Sequence, residues 1–166
     1  RDSWNGAPSV YADYDKTKQT VLSLKGYIDA QPKSIQLCHI DAVPDNFLFV
    51  TGKDGSEEIK LTDWEYAGMQ DPHLDVAMFI IYAMYDRDSA EKLIDLYFSD
   101  GCDKATRLKI YCYIAVSGLV WSNWCEFKRH CGVEFGAYAQ RQYDYAREYT
   151  KIFFKEYREA FGRDYV

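Results

Sequence analysis

Two long stretches, Asp103 to His130 and Glu134 to Phe161, read as helices parted only by the residues around Gly132. They commit the chain to a mainly α architecture. The uncharged run Ile110 to Cys125 inside the first holds Ser117, Ser122 and Asn123. It falls short of the roughly 20 apolar residues that a membrane span needs, so a buried helix is expected there and no membrane insertion. Shorter helices precede these two. Asp13 to Asp29 carries Val21, Leu22, Leu24, Tyr27 and Ile28 at helical spacing, and Gln31-Pro32 stops it. Asp71-Pro72 serves as N-cap and first helical residue for a run through Leu74, Val76, Ala77, Phe79, Ile80 and Ile81. Ser89 to Phe98 forms another helix, closed by Asp100-Gly101.

Only one region reads clearly as β. Phe47-Leu48-Phe49-Val50 and Ile59-Lys60-Leu61-Thr62 are strand-like and flank the turn-rich Thr51 to Ser56, which makes a hairpin. The fold expected is a mainly helical single domain over residues 1–166, built around one short hairpin. Arg1 to Val10, with Gly6 and Pro8, reads as an irregular linker. With Arg1 as first residue, the chain is expected to be part of a longer protein.

Twenty Lys and Arg against 26 Asp and Glu leave a net charge of −6, which argues against nucleic acid or an anionic membrane surface as partner. An aromatic content of 17% supplies flat apolar faces for a ligand as well as for packing. The five cysteines are odd in number and contain no C-x-x-C pair, which suits a reducing cytoplasm. No sequence feature defines an oligomeric state.

The chemistry lies at the two outer ends of the hairpin. Cys38-His39-Ile40-Asp41-Ala42-Val43-Pro44-Asp45-Asn46 precedes the first strand, and Leu61-Thr62-Asp63-Trp64-Glu65-Tyr66-Ala67 ends the second and continues past it. An antiparallel return brings Asn46 and Asp63 to the same end. The side-chain amide of Asn46 and the carboxylates of Asp41, Asp63 and Glu65 are hard oxygen donors of the kind Mg²⁺ shares with phosphates. Asp41, Asp45 and Asn46 are also ordinary turn residues, and Asp63 and Glu65 would suit a solvated hairpin end. Their order and spacing around a hairpin set them apart.

The order H-x-D-x-x-x-x-N, strand, turn, strand, D-x-E resembles the catalytic and metal loops of the kinase-like phosphotransferases. C-H-x-D at 38–41 and D-W-E-Y-A at 63–67 are most similar to the small-molecule branch, the choline/ethanolamine kinases of LicA type and the aminoglycoside phosphotransferases. The resemblance implies the C-terminal lobe of a protein-kinase-like α+β fold, with Mg²⁺ as cofactor and ATP as co-substrate. It makes Asp41 the catalytic base and Asn46 and Asp63 the metal ligands. Glu65 would support the metal or face the substrate, and His39 and Asp75 would hold the catalytic loop.

Trp121 and Trp124, three apart on one helix, share a face. With Tyr138 in the stretch Phe135 to Gln140 they resemble the box in which choline kinases hold a trimethylammonium group; Tyr66, Tyr82 and Tyr85 are further candidate walls. A Trp pair at helical spacing is also common core packing. The acceptor implied is choline or a related small amino alcohol. Other small alcohols remain open, among them an aminoglycoside gripped by Glu126, Glu134, Asp144 and Glu148, as does a non-catalytic kinase-like binding domain. No G-x-G-x-x-G occurs among the ten glycines. The N-terminal lobe that closes over ATP is therefore expected to be absent, and the chain alone to phosphorylate poorly.

Overall fold

The computed structural model describes residues 6–165. In chain order it contains α1 (Tyr14–Ser23), α2 (Lys25–Ala30), β1 (Gln36–Cys38) and a 3-10 turn (Pro44–Asn46). Next come β2 (Phe47–Thr51), β3 (Glu57–Leu61), β4 (Gly68–Gln70), α3 (His73–Tyr82), α4 (Arg87–Tyr97), α5 (Lys104–His130) and α6 (Ala137–Phe161). Two helices begin where a carboxylate satisfies their first free N–H groups. Asp86 accepts from Ser89 N at 2.9 Å to open α4, and Asp103 accepts from Thr106 N at 3.0 Å to open α5.

The long pair α5 and α6 forms the most extensive helix contact. Gly118 makes it possible, because a Cβ there would fall 2.7 Å from the Gln142 carbonyl oxygen and 2.8 Å from Tyr145 Cβ. Ile110, Ile114 and Ala115 of α5 pack with Tyr145, Tyr149 and Phe153 of α6 and with Ile80 and Ile81 of α3. α6 also fixes the end of α3. Gln142 Nε2 donates to the Ile81 carbonyl at 2.9 Å and Tyr145 OH to the Tyr85 carbonyl at 2.5 Å, which satisfies carbonyls that a helix terminus leaves free.

The start of α3 is held by a buried charge pair. Asp71 Oδ2 accepts from Lys109 Nζ of α5 at 2.7 Å, and the same ammonium donates to the Pro32 carbonyl at 2.8 Å. Burial alone would raise the Asp71 carboxyl; the Lys109 hydrogen bond and charge, with the His73 N–H, outweigh it and hold it below its usual range.

Three expectations are corrected. The segment Asp13 to Asp29 is not one helix but two, broken at Leu24, whose N–H bonds back to Val21 O at 3.1 Å. The residues before α1 include a pinned stretch, since Ser9 Oγ and Val10 N donate to the buried Glu126 carboxylate at 2.9 and 2.7 Å; residues 1–5 of the expected linker lie outside the described residues. A second antiparallel ladder joins β1 to β4, with Gln36 opposite Gln70 and Cys38 opposite Gly68. The hairpin β2–β3, with Phe47 opposite Leu61, is nested inside it.

Candidate active site

Nested ladders have a geometric consequence. The loop from β1 to β2 and the loop from β3 to β4 leave one ladder together and enter the other together, so each faces the other along its length. Thr62 N and Thr62 Oγ1 both donate to the Asn46 carbonyl, at 3.0 and 3.2 Å. His39 Nε2 lies 2.8 Å from the Thr62 carbonyl, and because a carbonyl only accepts, the ring proton sits on Nε2. The Trp64 ring packs edgewise on His39 at 4.7 Å. These links bring Asn46 and the residue beside Thr62, Asp63, to one end of the hairpin.

Both loops hold a residue in left-handed backbone, Ile40 at φ 69° and Asp63 at φ 61°. Asp tolerates that region, whereas a β-branched residue such as Ile rarely does. The compensation at Ile40 comes from Asp75 of α3. Its Oδ2 accepts from His39 N at 2.9 Å and its Oδ1 from Ile40 N at 2.8 Å. Four and seven residues on, the same face of α3 continues to grip the loop. Phe79 meets Phe47 edge to face at 5.5 Å, and Tyr82 OH donates to Asp41 Oδ1 at 2.5 Å. Asp41 is held from below as well, its carbonyl accepting from Asn46 Nδ2 at 3.0 Å.

Asp41 opens into a cleft of about 610 Å³ whose walls include Tyr82, Trp121, Trp124, Phe135 and Tyr138. Trp121 and Trp124 lie nearly parallel with centroids 5.9 Å apart, and Tyr82 meets Trp121 edge to face at 5.3 Å. Burial, more than any charge, pushes the Tyr82 and Tyr138 hydroxyls well above the usual phenol range, so both stay neutral. Glu65 and Tyr66 form the exposed rim, with Asp45 beside them.

Tyr85 is not part of this cleft. It would share a face with Tyr82 only if α3 continued, but the helix ends at Tyr82 and Met84 turns the chain at φ 51°. The Tyr85 ring instead packs on Phe79 and lines a different surface cavity beside α4. Phe135 is the wall that sequence reasoning missed. It stands 5.0 Å from Trp124 in the loop between α5 and α6, where no helical periodicity marks its direction. Its neighbourhood with Tyr138 was the available signal.

Among the described residues no cluster of three or more His, Cys, Asp or Glu side chains is assembled for a metal. What the loops offer is the Asn46 amide, the exposed Asp63 carboxylate and Glu65 on the cleft side. That set fits Mg²⁺, which keeps waters and takes its remaining oxygens from phosphates, and would not suit an ion needing an all-protein cage.

Comparison with known proteins agrees with this geometry. The sequence model of the family described as choline/ethanolamine kinase matches residues 3–100. Protein LicA of Haemophilus influenzae is 30% identical over 121 residues, covering 66% of this chain and 41% of LicA. The chain thus spans less than half the length of that relative. Choline kinase LicA from Streptococcus pneumoniae superposes with a TM-score of 0.70 at 27% identity, over 91% of this chain and 52% of that one. A LicA structure in complex with AMP gives 0.71 at 27% identity, over 92% and 51%. A choline/ethanolamine kinase family protein of Mesorhizobium loti shares the fold at TM-score 0.74 and 24% identity, over 90% and 51%. The mainly helical architecture around nested hairpin ladders is that of the C-terminal lobe of these kinases. Fold, loops and sequence together make this chain a member of the choline/ethanolamine kinase family.

Proposed function

We propose that this chain carries the catalytic base, the metal ligands and the acceptor pocket of an ATP-dependent choline kinase. The observation behind the reading is a ring-lined cleft whose wall includes the Asp41 carboxylate. A quaternary ammonium has no N–H to donate, so aromatic faces are its natural partners, each worth about 0.5–2 kcal/mol. The acidic rim of Asp45 and Glu65 adds attraction for a cation without offering a fixed ion pair.

With the ammonium among the rings, the choline hydroxyl points to Asp41. The carboxylate orients it and takes its proton as the oxygen bonds to the terminal phosphorus of ATP and the bond to ADP breaks. Asn46 and Asp63 would hold Mg²⁺, which would supply charge neutralisation for the phosphates. Asn46 also ties the base loop to the metal loop, so the two groups keep one spacing. The rest of the nucleotide grip requires a glycine-rich loop that this chain does not contain, and the chain alone is expected to turn over slowly. ATP as donor suits a cytoplasmic setting.

An aminoglycoside acceptor is less well served. Glu134, Asp144 and Glu148 are engaged with Arg129, Gln140 and Arg141, Glu126 with Ser9 and Val10, and none of the four lines the cleft. The test is calorimetric titration with choline, ethanolamine and kanamycin, repeated on Trp121→Ala. Selective choline binding that is lost with the indole supports the reading. Tight kanamycin binding indifferent to Trp121 overturns it.

A further inference from the structure

The choline reading leaves open how the cation box and the base are kept in register, and one side chain belongs to both. Tyr82 is half-buried at the last position of α3, its ring set edge-on to Trp121 and its hydroxyl 2.5 Å from Asp41 Oδ1. Its own position is fixed from behind. α6 holds the carbonyls of Ile80, Ile81 and Tyr85 through Tyr145, Gln142 and Arg141, so the end of α3 has little freedom to move. Seven residues earlier the same helix face carries Asp75, which grips the loop at His39 and Ile40. A single rigid helix therefore determines both where the base loop sits and how the Asp41 carboxylate is turned.

We propose that Tyr82 is a positioning and specificity residue, which pins Asp41 Oδ1 and leaves Oδ2 to the acceptor hydroxyl. Its ring, edge-on to Trp121, at the same time joins the cation box to Asp41. The chemistry follows from hydrogen-bond capacity. An ionised carboxylate only accepts, and two donors, the phenol and the acceptor alcohol, can be accommodated on its two oxygens without competing. A carboxylate with one oxygen held cannot swing, so the alcohol meets an acceptor already in place. The acceptor class this selects is a cation and a hydroxyl joined by a short two-carbon spacer. Longer homologues would place the hydroxyl past Oδ2, and a bare cation would fill the box without using Asp41.

This inference rests on the choline reading, and binding by this chain separates the two. Calorimetry is run with choline, its three-carbon homologue and tetramethylammonium on the wild type and on Tyr82→Phe, which keeps the ring. The expected result is a fall of about tenfold in choline affinity, the size of one hydrogen-bonding contact to a charged group. Tetramethylammonium affinity stays within about twofold, which also shows that the variant is folded, and the preference for choline over its homologue disappears. Unchanged choline affinity overturns the proposal. So does an equal loss for choline and tetramethylammonium, which would make Tyr82 a wall and nothing more. If tetramethylammonium and choline both fail to bind the wild type, the cation-box reading itself is wrong and the role of Tyr82 falls with it.

Discussion

Asp75→Ala is the substitution that most directly tests how the Asp41 loop is built. The carboxylate accepts from His39 N at 2.9 Å and from Ile40 N at 2.8 Å, and His39 is only 3% exposed. A hydrogen bond to a charged group contributes about 1.5–3 kcal/mol, and the His39 N–H has no water to replace its partner. The half-buried Ile40 N–H can partly rehydrate. Against the loss stands the release of left-handed backbone at Ile40, which costs about 1–3 kcal/mol while it is enforced. The net expectation is a destabilisation of about 3 kcal/mol, measured by urea unfolding. For a chain of this size it corresponds to a fall of about 6–12 °C in Tm. Because Asp41 follows Ile40 directly, choline affinity should fall too, even though Asp75 does not line the cleft. A loss below about 1 kcal/mol with choline binding intact would refute the reasoning, since the loop would then hold its shape without the brace.

Three other outcomes are expected. Gly118→Ala should force α5 and α6 apart, because the new methyl meets backbone at 2.7 Å, and should cost about 1–3 kcal/mol by thermal denaturation; an unchanged Tm would contradict the packing described. Lys109→Met leaves the buried Asp71 carboxylate unpaired and should cost about 3–5 kcal/mol, with part recovered when Asp71→Asn is added; equal stability of the two variants would argue against the pair. Burial first, then the Lys109 charge, holds the His73 imidazole below its ordinary 6.5, so the unfolded chain binds the extra proton first. Stability from His73 is complete above pH 6.5 and is lost as pH falls toward the depressed folded value. A second loss from Asp71 follows at lower pH, as the medium falls below 3.8 through that carboxyl's own depressed value. His73→Gln should flatten the first slope and leave most of the second, where Lys109 is the larger cause, read as urea midpoints across a pH series.

Legibility differed between kinds of structure for a physical reason. α4, α5 and the hairpin could be read to within a few residues because their signals are local: a helical run closed by Asp100-Gly101, a long apolar stretch, turn residues between two strand-like runs. The order of polar residues around that hairpin was also enough to point to a phosphotransferase. β1 and β4 were not legible. Each is three residues long and its partner lies some thirty residues away, so pairing them needed the intervening loops to be in place first. The break at Leu24 was equally silent, because both halves keep helical spacing.

The candidate site divides along the same line. Residue types and spacing alone determined that oxygen donors would gather at one end of a hairpin and that an indole pair would share a helix face. Which rings face that end was settled only by tertiary structure: Tyr85 turned away where α3 stops, and Phe135 entered from a loop with no period to announce it. The same holds for Tyr82 and Asp75, whose hold on the Asp41 loop depends on α6 fixing the end of α3. Direction along a chain is a local property of backbone dihedrals, whereas convergence of side chains depends on how separate elements are packed.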